Sequence, residues 1–564
     1  MENRWFRPEN IKSIPEILFD ITQLYREKSA LIYYGNKITY YNLYSYSYAI
    51  SKFIEKSTKP NGKIAIIMPN IPQFVFCYYG TLLVERIVVP INFMSIANDL
   101  KLKKANQIKF TEEIEKQLHD SRPDIIFVVD FLYPALMKMD INWPCTVVVT
   151  SVSDFLPFPL KLIYPLKALK EGKYVNKFKP GTLRLKDLLK DCEFLPPRSI
   201  AIDKVVQFQY TGGTTGIPGV AKLTHANLIS NIFQAREMLN DLLIDGQEVV
   251  LGALPFFHIY GLTVGINITL LSLGGTVILM PLFTPREAVK NISKYGVTVF
   301  PGVNRMYQAI TTLKRLPRKN KLRSLRVCIS GAGPISQEVV DKFKKLTKSA
   351  FIEGYGLSET SPVVSIALPQ DLDTKKKPDA NLLGRPLVGT KIKIIDEEIA
   401  VSGPQVMELK HNLDRLNDFS IFFEGDDHVW FRTGDMGYLE NGCLYLTDRK
   451  KDLIKVMGEN VYASRIESAI LKYPGIAEVF AVGMPDTKKG EMVVACIKLK
   501  PGSNTQINYE KEITFFMRRV LNTPYHYIPS RTLIFESFEE FKNPIGKILK
   551  RKLKEEVEKR FQQK

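Results

Sequence analysis

The chain offers little material for a metal cage or a disulfide framework. Its 564 residues include only six cysteines and six histidines. Cys77, Cys145, Cys192, Cys328, Cys443 and Cys496 are scattered, with no CxxC pair and no ligand spacing to a histidine, so they read as thiols of a reducing compartment. No uninterrupted apolar run approaches the roughly 20 residues that cross a bilayer. The opening MENRWFRPENIKS has neither an apolar core nor a small-residue cleavage site, so a cytoplasmic location is expected rather than secretion. Acidic residues are outnumbered, 59 against 78 Lys and Arg, for a net charge of +19. Residues 448–564 alone carry 23 basic and 15 acidic groups. Such a balance attracts polyanions, whether nucleic acid, an anionic membrane or small phosphorylated substrates; a lysine-rich solvated surface explains it equally well. Also missing is the phosphate-loop pattern of glycine, four residues and Gly-Lys-Ser/Thr.

What is present is a globular composition, 45% hydrophobic and 24% charged, in a chain long enough for about two to four domains. Short β-type apolar runs precede helical stretches. KIAIIMPN (63–70) stands before IPQFVFCYYGTLL, and PDIIFVVDF (123–131), TVILMPLF (276–283), VTVFPGV (297–303) and LRVCISGAGP (325–334) continue the series. Continuous apolar strands alternating with helices belong to parallel sheets covered on both faces. Between 384 and 448 the texture changes to short strands and turns, with Asn441 and Gly442 a strong hairpin signal. After DRKKD (448–452) a helix, two strands and a helix are expected. The predicted class is α/β: a large N-terminal domain of doubly wound sheets, a small antiparallel β unit, and a separate small α+β C-terminal domain.

The chemistry centres on QYTGGTTGIPGVAKLTHANL (209–228). Gly212, Gly213 and Gly216 leave backbone N–H groups free to point inward as an anion nest, and Thr211, Thr214 and Thr215 add hydroxyl donors. A tight strand-to-helix turn is the plainer alternative. GYGLSET (354–360) supplies an aromatic face, a hydroxyl and a carboxylate in close succession. Further blocks follow in order: LPFFHIYG (254–261), RTGDMGYL (432–439), DRKKDLIKVMGENVY (448–462) and NPIGKILKR (543–551). Together with YTGGTTGIPG (210–219) they resemble, over nearly the whole chain, the adenylate-forming (AMP-binding) enzymes, a superfamily that includes acyl-CoA synthetases, luciferases and peptide-synthetase adenylation domains. Within it the blocks are most similar to medium- and long-chain fatty acid–CoA ligases.

The resemblance implies an AMP-binding domain at 1–447, a hinge at 448–451 and a mobile C-terminal domain at 452–564. It implies ATP, Mg²⁺ and coenzyme A as cofactors, a fatty acid or other carboxylic acid as substrate, and no nucleic-acid partner. Residues 211–216 would cradle the β- and γ-phosphates. Gly331 and Ala332 would lie along the adenine edge, Tyr355 would stack on the ring with Gly356 beside it, and Ser358 would touch the α-phosphate. Glu359 would help hold Mg²⁺, with Thr211, since a hard cation wants oxygen ligands. Asp435 would accept from both ribose hydroxyls; a turn aspartate is its plainer reading. His258 would stand beside the substrate carboxylate, in a positional and electrostatic role, because a carboxylate is already ionised at neutral pH. A core histidine is the alternative there. Lys547, in a Pro-x-Gly-Lys turn, would bridge the carboxylate and the α-phosphate as negative charge builds. Arg449 would contact ribose or phosphate, Lys451 would be the pivot, and Gly458 would face the thiol after domain rotation.

The chain departs from the family pattern in three places. Gly219 stands where a lysine is expected, the connection 92–120 is long and carries KLKK, and Ala463 and Arg465 replace a usual proline and a usual acidic residue. For the acid, the TGGTTG loop and FLPFPLKLIYPLKALKEGK (155–173) favour a medium- or long-chain fatty acid. That segment, apolar and cationic together, matches a peripheral contact at the inner membrane face, or a surface loop over the core. No carrier-protein segment is expected after the last helix, which weighs against a peptide-synthetase module. The rival readings are an aryl or short-chain acid–CoA ligase, a luciferase-like oxygenase, and a catalytically weak acyl or nucleotide sensor.

Overall fold

The computed structural model of the protein describes residues 11–96, 110–190, 192–211, 219–314, 322–333, 335–372, 381–412, 422–425, 428–487, 489–521, 523–542 and 548–562. Residues 212–216, Lys547 and residues 97–109 of the long connection 92–120 therefore lie outside the described residues. The chain forms two compact units. The first is Met1–Pro369 with Pro386–Lys391 and Ser402–Phe422; the second is Gln370–Arg385 with Ile392–Val401 and Phe423–Lys564.

The first unit contains the expected parallel sheets. One runs Leu183–Arg184, Thr146–Thr150, Ile125–Val129, Lys63–Ile67, Ile87–Pro90, Val205–Tyr210, Val220–Thr224 in spatial order. Its strands are parallel except for the last pair, an antiparallel hairpin. In the other, Ser29–Tyr33, Thr276–Leu279, Val249–Gly252, Val299–Gly302, Val327–Ser330 and Ala350–Gly356 lie parallel in that order. Antiparallel strands Asn36–Thr39 and Val363–Ala367 border it. Ile125–Val129 is buried at every position, because a β-branched apolar run in a parallel sheet needs cover on both faces. Helices Pro285–Tyr295, Asn304–Thr311 and Gln337–Thr347 supply part of that cover. Their Val289, Ile292, Tyr307, Ile310, Val339 and Phe343 share one core with Phe300 and Phe351.

Helix His225–Met238 follows the hairpin directly, as the sequence order led one to expect. Thr224 caps it, accepting from the Asn227 N–H at 3.1 Å, while Asn227 Oδ1 accepts from the Thr224 N–H at 3.0 Å. One face of this helix is polar yet buried. Asn227 Nδ2 donates to the carbonyls of Pro404 and Val406, both at 2.9 Å. Asn231 bonds both backbone groups of Val363, at 2.7 and 3.0 Å. Gln234 Nε2 donates to the Val388 carbonyl at 2.7 Å.

In the second unit the antiparallel texture is present. His428–Glu440 pairs with Glu398–Ser402 on one side and Cys443–Arg449 on the other, and Asn381–Pro386 pairs with the latter. Asn441 (φ 50°) and Gly442 (φ 75°) form the two-residue turn, both in the left-handed region that asparagine and glycine tolerate best. Beyond residue 452, helix Ala463–Ile470, strands Ile476–Asp486 and Gly490–Leu499, and helix Tyr509–Phe515 give the expected order. A short hairpin, Ile454–Val456 with Glu459–Val461, precedes them, and Arg531–Ile534 adds a parallel edge. Both were missed in the sequence. The last helix, Lys550–Gln562, buries Leu553 and Val557, the four-residue spacing that marks an amphipathic helix.

Asn231→Ala removes both partners of Val363's backbone inside the core. The expected cost is about 2–4 kcal/mol, read as a clear fall in the thermal midpoint, whereas Ala at exposed Lys290 leaves it unchanged.

Candidate functional site

Ligands of open α/β sheets bind outside the carboxyl ends of the strands. In the first unit those ends carry the sequence blocks. Ser330 and Glu353 are register partners on neighbouring parallel strands, so Gly331 and Ala332 leave the sheet next to Gly354 and Tyr355. A β-carbon on Gly331 would come within 2.9 Å of the Tyr260 ring. Tyr260 itself is fixed, its hydroxyl donating to the Gly302 and Ile329 carbonyls at 3.2 and 2.9 Å. Glycine is therefore what lets the chain pass the ring. Ala332 follows at φ 63°, exposed, a conformation that costs a non-glycine residue energy and holds only where the surroundings impose it.

The block containing His258 follows strand Val249–Gly252 and is held by Asn70. The Asn70 amide donates to the Gly252 and Leu254 carbonyls at 3.1 and 2.7 Å, and its oxygen accepts from the Phe256 N–H at 3.0 Å. His258 is half-buried. Its Nδ1 accepts from the Tyr260 N–H at 3.2 Å, so a neutral ring carries its proton on Nε2. Gln209, in the strand leading to Thr211, donates to the Phe257 carbonyl at 3.1 Å and ties this block to the hairpin.

Ser358, Glu359 and Thr360 form a single helical turn after Tyr355, and strand Val220–Thr224 lies against that turn. Thr360 Oγ1 donates to the Pro362 carbonyl at 2.6 Å, and the Leu357 N–H also bonds Pro362, at 3.0 Å. A β-carbon on Gly356 would run into that same Pro362 carbonyl. Glu359 is half-buried, and its carbonyl accepts from the Met407 N–H at 2.8 Å. At the hairpin neck the Thr211 N–H donates to the Gly219 carbonyl at 2.8 Å. A β-carbon on Gly219 would stand 2.6 Å from Thr211 Oγ1. The first unit thus gathers His258, Gly331, Ala332, Tyr355, Gly356, Ser358, Glu359 and the neck of the 211–216 loop on connected loops.

Asp435 and Arg449 belong to the second unit, as register partners on adjacent strands. Asp435 is buried, with the Arg449 Nε 3.3 Å from its carboxylate. The bulge before it in strand His428–Glu440 is set by buried Glu398. This carboxylate accepts from the Gly434 N–H at 3.0 Å and stands 3.0 Å from Arg432 Nε and 2.9 Å from Lys450 Nζ. Gly434 sits at φ 72°. Gly458 occupies the turn of the hairpin at 454–461, apart in sequence and strand from Asp435. A further charged group sits inside the second unit. Asp448 accepts from the N–H groups of Arg449 and Ser464 at 2.7 and 3.0 Å. Lys550, three residues past Lys547, reaches Glu467 at 3.1 Å. Burial raises the carboxyl pKa values of Asp448 and Glu467. Burial also works against the Lys550 ammonium, but Glu467, Asp452 and Asp448 outweigh it and hold its pKa above the ordinary value. Neither Glu398 nor this cluster was found from the sequence.

The model of the AMP-binding enzyme family matches residues 19–408, and that of its C-terminal domain matches 465–543. The chain belongs to the AMP-binding enzyme family. A long-chain-fatty-acid–CoA ligase of Bacillus subtilis is 34% identical over 97% of this chain and 94% of its own length. One of Escherichia coli O6:H1 is 30% identical over 98% and 95%. Among solved structures, o-succinylbenzoate coenzyme A synthetase of Bacillus subtilis, in complex with ATP and magnesium ion, superposes with a TM-score of 0.69 at 25% identity, covering 96% of this chain and 99% of that one. This AMP-binding enzyme is an acid–thiol ligase, which activates a carboxylic acid with ATP through an acyl-adenylate and transfers it to coenzyme A.

Gly219 cannot supply the cation expected of an AMP-binding enzyme at that position. Lys222, the next lysine, lies mid-strand opposite Phe208, its ammonium 5.6 Å from the ring centroid, and its N–H donates to Asn412 Oδ1 at 3.0 Å. Its ammonium therefore lies over the ring of its cross-strand partner. Lys222→Ala is expected to lower turnover less than tenfold, under about 1.4 kcal/mol, whereas Gly356→Ala, which drives a methyl into the Pro362 carbonyl, lowers it far more. Steady-state kinetics with ATP varied compares the two; equal losses would make Lys222 a phosphate ligand.

Proposed function

We propose that the acid is a medium- or long-chain fatty acid, and that its activation uses the residues singled out above. The observation that carries the substrate class is the match to two long-chain-fatty-acid–CoA ligases over nearly the whole chain. Residues 211–216 hold the β- and γ-phosphates through backbone N–H groups and threonine hydroxyls. Gly331 and Ala332 lie along adenine, Tyr355 and Gly356 under it, and Ser358 at the α-phosphate. Asp435 takes the ribose hydroxyls, kept oriented by the Arg449 guanidinium at 3.3 Å. His258 orients the substrate carboxylate.

For Mg²⁺ the donor set is one carboxylate, Glu359, with the Thr211 hydroxyl. Among the described residues no group of three or more His, Cys, Asp or Glu could hold a metal. That suits an ion which takes one or two carboxylates and completes its shell with substrate phosphates and water. When bound, it neutralises charge on the phosphates.

In the first half-reaction a carboxylate oxygen attacks the α-phosphorus, pyrophosphate leaves, and the Lys547 ammonium stabilises the gathering negative charge. In the second, the coenzyme A sulfur attacks the acyl carbon and AMP leaves. The hinge at 448–451 turns the domain 452–564 between them, withdrawing Lys547 and presenting Gly458. A long-chain acid partitions into lipid, and the reading includes a peripheral membrane contact through 155–173.

Acid-dependent pyrophosphate release across a panel from acetate to palmitate and 4-coumarate tests the substrate class; a preference for the short or aryl acids would overturn it. Lys547→Ala is expected to abolish adenylation yet still convert supplied acyl-adenylate to thioester. Equal loss of both half-reactions would remove the case for alternation. Asp435→Ala should raise the ATP KM more than tenfold, about 1.4 kcal/mol or more, with chain-length preference unchanged; an unaltered ATP KM would sink the ribose assignment.

A further inference from the structure

Residues 150–156 are fastened to the core of the first unit. Asp154 accepts from Thr150 Oγ1 at 2.9 Å and the Ser151 N–H at 2.8 Å. The Phe155 carbonyl accepts from Asn36 Nδ2 at 2.9 Å, and its ring meets Phe76 edge-on at 5.2 Å. Helix Leu160–Lys170 leaves this anchor with Ala168 buried and Tyr164 half-buried on its inner side. On the outer side Leu162, Leu166 and Leu169 are 66, 69 and 63% exposed. Their spacing of four and three residues sets them in one stripe, and exposed Ile163 and Phe158 adjoin it.

A row of leucines in water is unfavourable and marks a surface that something covers. The charges around it say what. On a helical projection Lys161 falls to one side of the stripe and Lys167 and Lys170 to the other, all exposed. Residues 155–180 hold six lysines and one glutamate. A second copy of a chain with net charge +19 would bring the same cations face to face. Flexible ammonium groups flanking an apolar stripe suit a fluid array of phosphates above a hydrocarbon layer. Among the described residues no helix is long and apolar enough to cross a membrane, so the contact is one that lies on the surface.

We infer that helix Leu160–Lys170 lies flat in the headgroup layer of an anionic lipid bilayer, with Leu162, Leu166 and Leu169 inserted toward the acyl chains and the lysines on lipid phosphates. The surface stands on its own geometry. Its use, collecting an acid dissolved in the bilayer, rests on the fatty-acid reading.

The full chain is floated with vesicles of phosphatidylcholine alone or mixed with phosphatidylglycerol, beside Leu162→Ser/Leu166→Ser/Leu169→Ser and Lys161→Gln/Lys167→Gln/Lys170→Gln. The wild type is expected to bind the anionic vesicles, the serine variant to lose at least tenfold in partitioning, and the glutamine variant to lose the anionic preference. Activity on dispersed decanoate should be unchanged in both variants, which also shows that they fold, while activity on palmitate preloaded in anionic vesicles should fall. Wild type that does not float overturns the inference, as does a serine variant that binds equally well. So does a serine variant whose sedimenting mass drops below the wild type's, since the face would then join protein to protein. Vesicle binding as expected with a short or aryl acid preferred would refute the fatty-acid reading and leave the surface standing.

Discussion

The first unit depends on a polar seam buried along one face of helix His225–Met238. Asn227, Asn231 and Gln234, spaced four and three residues apart, each supply hydrogen bonds to a backbone segment outside the helix. Each also turns a buried carbonyl that would otherwise cost about 1–3 kcal/mol into a satisfied one. The consequence is positional. Asn227 belongs to the cap that joins the helix to the hairpin, and it also holds the chain at 404–406, whose next residue bonds Glu359. Asn231 holds the strand returning from the Tyr355 turn. The loop neck at Thr211 and the backbone of Glu359 thus share one rigid frame, although they are far apart in sequence.

The second unit solves the same problem with charge. Glu398 is buried, and a buried carboxylate is tolerable only when its oxygens are engaged. Arg432, Lys450 and the Gly434 N–H engage them. The bulge ahead of Asp435 is thereby held at the positive φ of Gly434, which glycine adopts most readily. Lys450 lies in the DRKKD block, so one carboxylate touches both the strand carrying Asp435 and the segment expected to pivot.

The strands could be read from the letters because β-branched runs such as IIFVV admit few other environments. The turn at Asn441 and Gly442 could be read because few residues accept its backbone angles. The ordered blocks led to the family; the structure places GYGLSET across a strand end, LPFFHIYG after one, and RTGDMGYL within strand His428–Glu440. The seam could not be read: two asparagines and a glutamine on a helix resemble a solvated face until tertiary packing covers them. Nothing in IIDEEIAV singled out Glu398, and nothing in KILKRKLK singled out Lys550. Burial decides these cases, and burial is a property of the partners. The hairpin at 454–461 escaped notice because its strands are only three residues long and meet at Met457 and Gly458.

The close approach at the hairpin neck also couples two residues that stand eight positions apart in the sequence. The family pattern has a lysine where Gly219 stands, and a β-carbon there meets the Thr211 hydroxyl at 2.6 Å. With glycine installed, that hydroxyl occupies the vacated space. Any larger side chain at 219 therefore requires the Thr211 hydroxyl to rotate out of that space. The two positions are therefore coupled sterically: the size of residue 219 decides which rotamer is open to Thr211, one of the hydroxyls expected at the phosphates.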